Sequence, residues 1–213
     1  MREASFGNKN EARKLAEKAL KLLPGQAVEI EAALAQSMAG DSVQAAALAR
    51  DLDRRFPTDT QMQTLWLPTI QAQLALAKGD TAGALNHLHA AASMDLASIQ
   101  FLTNVSCLYP VYVRGEAYLA AGNGSASAGE FQRILDHSGI TWNCWTGALA
   151  RLGLARAYAL QASLGSTAQD SASHAATLAK ARDAYQDFLG LWKDADPDIP
   201  VLKQARAEYA KLQ

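Results

Sequence analysis

Small and apolar residues recur along the chain at a spacing that starts from a glycine. A small residue lies five positions after each of these glycines, and small or apolar residues follow at nine and twelve. These last three positions share one face of an α-helix, so each series predicts a helix that buries one face. The three copies are Gly40 with Ala45, Ala49 and Leu52, Gly79 with Ala84, Leu88 and Ala91, and Gly122 with Ser127, Phe131 and Ile134.

A fourth copy is interrupted by an insertion. Ala162 stands in the glycine position, and the series resumes at Ala181, Tyr185 and Phe188. The intervening residues 163–176 are rich in Ser, Gly and polar side chains, which is typical of an exposed loop. We therefore expect a loop across the whole insertion.

The residue after each glycine predicts a helical hairpin. Glycine can adopt the left-handed conformation that ends a helix, and Asp41, Asp80 and Asn123 stand where their side chains can cap the next one. A small residue seven positions before the glycine position marks the preceding helix of each hairpin. These small residues are Ala33, Ala72, Gly115 and, in the fourth copy, Ala155.

The N-terminal and C-terminal segments of the chain do not form complete copies of this pattern. Ala12, Ala16, Ala19 and Pro24 match a second helix without its first, so residues 1–24 are predicted to form half a repeat and the chain to begin inside a longer array. Residues 199–213 have one apolar stripe and one charged face, as a capping helix does. The predicted repeats between them are 26–57, 65–95, 108–138 and 145–195, the last with the inserted loop.

Composition strengthens the helical prediction and narrows the function. The chain has 44 Ala and 28 Leu among its 213 residues but only 12 Ile and Val together, which favours an all-α fold. With a net charge of −1, the chain lacks the positive electrostatic field that binding to a phosphate backbone requires. Nucleic acid is therefore not an expected partner.

No targeting or membrane segment is predicted. The polar N-terminus lacks the apolar core of a signal peptide. The longest uncharged runs, 60–77 and 96–113, contain Pro and several polar residues, so no membrane contact is expected. We expect a soluble chain of unknown compartment, with the cytoplasm favoured for the isolated chain.

The hairpin pattern resembles the tetratricopeptide repeat, whose signature pairs a small residue with an aromatic one and a later Gly. The best copy has Gly115, Tyr118, Gly122, Ser127 and Phe131. Other copies depart from the signature, since Gln36 and Ala75 occupy the aromatic position, and a different helical repeat is the alternative. The resemblance implies a right-handed α-solenoid of about four and a half hairpins with a C-terminal capping helix.

Longer stretches resemble the tetratricopeptide tails of bacterial serine/threonine protein kinases. These stretches are Leu108–Gly115, Glu130–His137 and Leu191–Pro200, and the similarity extends over residues 50–213. It implies a regulatory or sensing tail of a larger signalling protein. It transfers no kinase residue to this chain.

The resemblance also implies a binding groove lined by the first helix of each hairpin. The groove is expected to be apolar and aromatic, suited to an apolar or amphipathic peptide, with Glu116 and Arg156 fixing its direction. The same residues are alternatively ordinary core, and residues 94–108 are an alternative occupant of the groove. The expected groove residues are Ile30, Leu34, Met38, Trp66, Thr69, Gln73, Leu76, Tyr109, Tyr112, Glu116, Leu119, Leu149, Leu152, Arg156 and Leu160.

Catalytic and metal-binding patterns are not recognised in the sequence. His87 and His89 point to different sides of a helix, and no nucleophile, base and acid fall into one register, so we expect no catalytic residue, cofactor or metal. Cys107 and Cys144 are expected to be two buried thiols, with a disulfide as the alternative.

The function expected from the sequence is that of a non-catalytic protein-interaction module with a protein or peptide partner. The first alternative is self-association into a homo-oligomer through the uncovered half repeat. The second is a small-molecule sensor or enzyme with its pocket in the groove.

Overall fold

The described part of the chain is built of helices. The computed structural model describes residues 1–97, 107–164 and 171–213, and no strand occurs among them. The predicted all-α class is therefore confirmed. The structure divides into two compact units, residues 1–106 and 107–213, called unit 1 and unit 2 below.

Over residues 1–97, unit 1 contains six α-helices and two irregular helical turns. A π-helical turn, Met62–Trp66, leads into α5, and a 3-10 turn, Ala92–Met94, follows α6. The helices are α1 (Arg2–Ser5), α2 (Lys9–Leu22), α3 (Gln26–Met38), α4 (Ser42–Arg55), α5 (Leu67–Ala77) and α6 (Thr81–Ala91).

Unit 2 also contains six α-helices in its described part. A helix is present where the capping helix is predicted. It is the last of them and begins at Pro200, within the predicted range. The helices are α7 (Tyr109–Ala120), α8 (Gly124–Asp136), α9 (Ser138–Thr141), α10 (Trp145–Leu164), α11 (Ser171–Leu191) and α12 (Pro200–Ala210).

The three predicted caps are confirmed. Asp41 Oδ1 accepts a hydrogen bond from the Gln44 amide at 3.3 Å, and Asp80 Oδ1 accepts one from Gly83 at 2.8 Å. Asn123 Oδ1 accepts from the Ala126 amide at 3.0 Å. Each bond satisfies one of the amides that the first turn of a helix leaves unpaired, so each second helix starts at a defined residue.

The glycine before each cap ends the first helix. Gly40, Gly79 and Gly122 have φ of +84°, +77° and +76°, in the left-handed region that other residues rarely adopt. The cap amide reaches back five residues in each case, as in the 3.0 Å bond from the Asp80 amide to the Ala75 carbonyl. This closing turn makes each pair of helices an antiparallel hairpin.

Within each unit, a first helix packs against two neighbours. In unit 1, α3 packs on α4 and on α5, and α5 packs on α6. In unit 2, α7 packs on α8 and on α10, and α10 packs on α11. The same order of contacts in both units explains why one spacing recurs in both halves of the sequence.

Part of the insertion in the fourth hairpin is helical. Helix α10 continues through Ala162 to Leu164, because no glycine stands there to end it. Helix α11 begins at Ser171, so the expectation of a loop is wrong for 163–164 and 171–176. The many alanines of that stretch favour helix over the loop that its serines suggested. Residues 165–170 lie outside the described part.

The N-terminal half repeat contains more than the sequence indicated. Gly7 has φ of +89°, and the Asn8 amide donates to the Glu3 carbonyl at 2.9 Å, five residues back. Helix α1 contacts both α2 and α3. It therefore occupies the place of the last turn of a first helix.

Candidate functional site

The expected groove residues divide into two groups along each first helix. In the turn before α5 and in α5, α7 and α10, the earlier positions are buried and the later ones are half-buried. The buried residues are Ile30, Leu34, Trp66, Thr69, Tyr109, Tyr112, Leu149 and Leu152. The half-buried residues are Met38, Gln73, Leu76, Glu116, Leu119, Arg156 and Leu160.

Packing between helices explains the burial of the earlier positions in unit 2. The ring of Tyr112 meets Phe131 of α8 edge to face at 5.7 Å between centroids, and Tyr109 stacks on Tyr112 at 6.3 Å. Tyr112 is only 9% exposed. These aromatic side chains serve as core of unit 2, as the alternative interpretation held for part of the set.

Phe131 fits between two glycines of the first helices. A Cβ on Gly115 would lie 2.8 Å from the Phe131 ring, and one on Gly153 would lie 2.5 Å from it. Real Cβ atoms do not approach that closely, so the absence of a side chain at both positions allows α7 and α10 to close around the ring. The sequence analysis identified Gly115 as the small packing residue but missed Gly153.

The later positions in unit 2 carry charges that are linked to the last helix. Arg156 of α10 donates from Nε and from one terminal nitrogen to the two carboxylate oxygens of Glu208, at 2.9 and 3.1 Å. The Tyr185 hydroxyl donates to the same carboxylate at 3.0 Å. Such a two-pronged pair fixes the guanidinium in one orientation. The sequence analysis missed Glu208, which lies 52 residues from Arg156.

Glu116 lies beside this ion pair, and its favourable contacts do not fully offset the cost of burying its carboxylate. Burial raises the pKa of the Glu116 carboxyl above its ordinary value, although the charge of Arg156 and a hydrogen bond with the Tyr112 hydroxyl act in the opposite direction. Its Oε1 atom is buried and has no hydrogen-bond partner. The side chain of Glu116 therefore retains an unused acceptor near a fixed guanidinium.

The half-buried residues of unit 2 define what we call the unit 2 surface: Glu116, Leu119, Arg156 and Leu160. It joins two apolar side chains with a carboxyl and a guanidinium, all from the later turns of α7 and α10. Because Glu208 holds the Arg156 guanidinium, the positive group has a fixed position on this surface. In unit 1 the corresponding half-buried positions, Gln73 and Leu76 of α5, carry no charge.

The two cysteines form a disulfide, so the expectation of two buried thiols is wrong. Cys107 and Cys144 have Cα atoms 5.6 Å apart and are bonded to each other. The Thr146 hydroxyl donates to the Cys107 carbonyl at 2.6 Å, which brings the start of α10 close to the chain two residues before α7. Sequence spacing does not show this proximity because 37 residues separate the two cysteines.

Two histidine rings lie beside backbone carbonyls. His137 Nδ1 lies 2.8 Å from the Arg133 carbonyl, and His174 Nδ1 lies 3.1 Å from that of Ala162. Over the described residues, no group of three or more His, Cys, Asp or Glu side chains is arranged to hold a metal ion. None of the described helices combines the length and apolar character needed to cross a bilayer. Most of the segment 94–108, the alternative occupant of the groove, lies outside the described residues.

Comparison with family models, curated proteins and solved structures finds no significant match to this chain.

Proposed function

We propose that the chain is a protein-interaction module of the tetratricopeptide type, and that it binds an apolar or amphipathic peptide on the unit 2 surface. The observation that carries this proposal is the recurrence of accessible side chains at the later turns of α7 and α10. In an interaction module, variation at such positions changes the ligand while the buried earlier positions keep the hairpin packed.

The chemistry of the unit 2 surface supports a peptide ligand. Leu119 and Leu160 offer apolar contact, and Arg156 is held in place by Glu208 before any ligand binds. A pre-oriented charge reduces the ordering cost of binding and discriminates between ligand orientations.

The test starts from peptides selected by display against the full chain. We expect Leu119→Asp and Leu160→Asp to weaken binding of the enriched peptide by about tenfold or more, because a carboxylate there loses apolar contact and is poorly solvated. Leu191→Asp, at a position 58% exposed, is the control and should bind normally. Circular dichroism checks that all three variants fold. Unchanged affinity in both surface variants would overturn the proposal.

We also propose that the module is the regulatory tail of a larger bacterial signalling protein such as a serine/threonine kinase. The support is the resemblance of Leu108–Gly115 and Leu191–Pro200 to such tails. The test is the source genome immediately upstream of Met1. In-frame signalling motifs are the expected result, and a stop codon directly before Met1 would contradict the proposal.

A further inference from the structure

Three residues other than glycine have a positive φ in the described part of the chain, and all three lie at the disulfide of unit 2. Cys107 and Leu108 have φ of +54° and +46°, and Trp142 has φ of +47°. Cys107 is bonded to Cys144, which lies two residues after Trp142. A side chain at positive φ crowds the backbone, so such a conformation persists only where the surrounding structure holds it.

Trp142 shows that the restraint acts on the backbone. Its side chain is 78% exposed, so side-chain packing does not account for its conformation. Its ψ of −118° also lies outside the left-handed helical region that Asn and Asp adopt most readily. The cause of the strain is therefore the turn in which Trp142 stands.

That turn brings Cys144 to Cys107. The Trp142 amide donates to the Ser138 carbonyl at 2.7 Å, and the Cys144 amide donates to the Thr141 carbonyl at 2.8 Å. Only the three residues 142–144 separate the end of α9 from the start of α10, so the chain must turn sharply there. The Cα atoms of the two cysteines are 5.6 Å apart, within the narrow range that a disulfide spans. The bond and the strained backbone therefore depend on each other.

The disulfide joins the starts of the two helices that carry the unit 2 surface. Cys107 lies two residues before α7, and Cys144 lies directly before α10. The hydrogen bond from the Thr146 hydroxyl to the Cys107 carbonyl joins the same two places without involving sulfur. This hydrogen bond does not depend on the oxidation state of the cysteines, so it favours their pairing again after reduction.

Backbone strain makes reduction of this disulfide more favourable. The oxidised form carries the cost of the positive φ angles, and strained disulfides are the ones that are reduced most readily. Neither cysteine is fully buried. A thiolate of a dithiol attacks one sulfur and forms a mixed disulfide, and the other cysteine leaves as a thiolate and takes up a proton. The second thiol of the reductant then closes its own disulfide and releases the remaining cysteine, so two electrons and two protons pass to the chain.

We propose that Cys107 and Cys144 form a redox switch that a dithiol reductant opens, and that this switch controls peptide binding on the unit 2 surface. With the disulfide closed, α7 and α10 keep one relative position, so Leu119 and Leu160 present one arrangement to a ligand. With the disulfide open, the starts of both helices gain freedom, and ordering them again opposes binding. The control of binding rests on the proposed function, whereas the thiol chemistry does not.

Redox titration of the full chain tests the thiol chemistry. The chain is equilibrated with mixtures of dithiothreitol and its oxidised form, and alkylation followed by mass spectrometry counts the free thiols. We expect the folded chain to be reduced reversibly at about 10 mM dithiothreitol or less. A disulfide that reacts only in denaturant would overturn the proposal. Loss of the helical circular dichroism signal on reduction would also overturn it, because reduction would then unfold the unit.

Two neighbouring glycine variants test the role of strain. Trp142→Gly removes the cost of positive φ from the oxidised form, so half reduction should need a ratio of dithiothreitol to its oxidised form that is about fivefold higher. Asn143→Gly is the matched control and should leave this ratio unchanged, because Asn143 is exposed and is not among the residues with positive φ. Equal ratios in the two variants would overturn backbone strain as the origin of the switch.

Peptide binding in the two states tests the control of the unit 2 surface. The peptide selected by display should bind the oxidised chain about tenfold more tightly than the reduced chain. A chain with both Cys107→Ser and Cys144→Ser should bind as weakly as the reduced chain and should not respond to dithiothreitol. Equal affinity in the two states would overturn the switch and leave the proposed function standing. Failure of every peptide to bind the oxidised chain would instead contradict the proposed function, and with it the control of binding.

Discussion

Units 1 and 2 share one hairpin design but use different side chains to pack it. Around α1, α2 and α3 the core cluster of unit 1 consists of alanines, including Ala12, Ala16, Ala32 and Ala35. In unit 2 the large ring of Phe131 takes the equivalent position and is accommodated by missing side chains on two first helices. The shared turn and caps fix the hairpin in both units. The side chains that face each other across a pair of helices can differ in size, provided that their total volume is conserved.

The units also differ in how far their cross-links reach along the chain. In unit 1 Gln26 donates to Asp59, 33 residues away, at 2.8 Å. In unit 2 Arg156 pairs with Glu208 across 52 residues, and a disulfide closes 37 residues. Unit 2 is therefore expected to depend more on specific long-range bonds, and unit 1 on many small apolar contacts.

The largest expected effect comes from removing the disulfide. Replacing Cys107 and Cys144 with Ala should lower the free energy of unfolding by about 2–4 kcal/mol, because the unfolded chain regains the freedom of an open loop. Hydrogen–deuterium exchange resolved by helix is the measurement. We expect faster exchange in α7 and α10 than in the wild type.

Unit 1 provides the internal reference for this experiment. Exchange in α3 and α5 should change little, because the disulfide joins residues of unit 2 only. Equal acceleration in both units, or none in either, would remove the distinction drawn between them. Reduction of the wild-type protein should reproduce the pattern of the double variant.

A methyl group at Gly153 should have the next largest effect. Gly153→Ala places a Cβ against the Phe131 ring and should cost about 1–3 kcal/mol of stability in urea unfolding. Gly129→Ala is the matched control, because a Cβ there meets nothing within 4 Å. It should stabilise the protein by about 0.5–1 kcal/mol through helix propensity. Equal effects of the two variants would show that the Phe131 ring does not require the space left by the missing side chain at Gly153.

The elements that sequence analysis predicted correctly are those determined by neighbouring residues. The caps at Asp41, Asp80 and Asn123 each span four consecutive residues, and a left-handed glycine precedes each of them. Local hydrogen bonds and local backbone preference are sufficient there. The same spacing was present at Gly7 but was missed, because too few residues precede it to show an apolar series.

The features that sequence analysis missed depend on approach in three dimensions. Gly153 is one of several small residues on α10, and only the position of Phe131 shows why a side chain is excluded there. From the sequence alone, Glu208 belongs to the charged face of the predicted capping helix. Only the structure shows that it pairs with Arg156. The groove prediction did not separate the buried early turns of these helices from their half-buried later turns.

A smaller effect is expected from the caps, and it should be the same in both units. Asp80→Ala in unit 1 and Asn123→Ala in unit 2 each remove one side-chain bond to an exposed first turn. Each should cost about 1 kcal/mol in urea unfolding. Asp80→Asn and Asn123→Asp, which keep an acceptor, should restore most of that stability. A loss confined to one unit would contradict the shared turn design.

The smallest expected effect is a pH dependence that both units should show. Burial raises the pKa of Glu116 in unit 2 and of Glu31 in unit 1. The folded state therefore holds each proton to a higher pH than the unfolded state does. The stability that each group contributes is present below its unfolded pKa, and it is lost as the pH rises through the folded value.

Glutamine mimics the protonated acid and should remove this loss. Glu116→Gln and Glu31→Gln should each gain stability relative to the wild type as the pH of a urea unfolding series rises from about 4 to 7. Arg156, Glu208 and Tyr112 face Glu116, whereas the Met1 ammonium faces Glu31. Salt should therefore alter the two gains in stability differently, since the partners of Glu116 form a fixed network.

Glu17→Gln, at an exposed position, provides the baseline. Gains that match this baseline at every pH would show that neither carboxyl is held protonated by its unit.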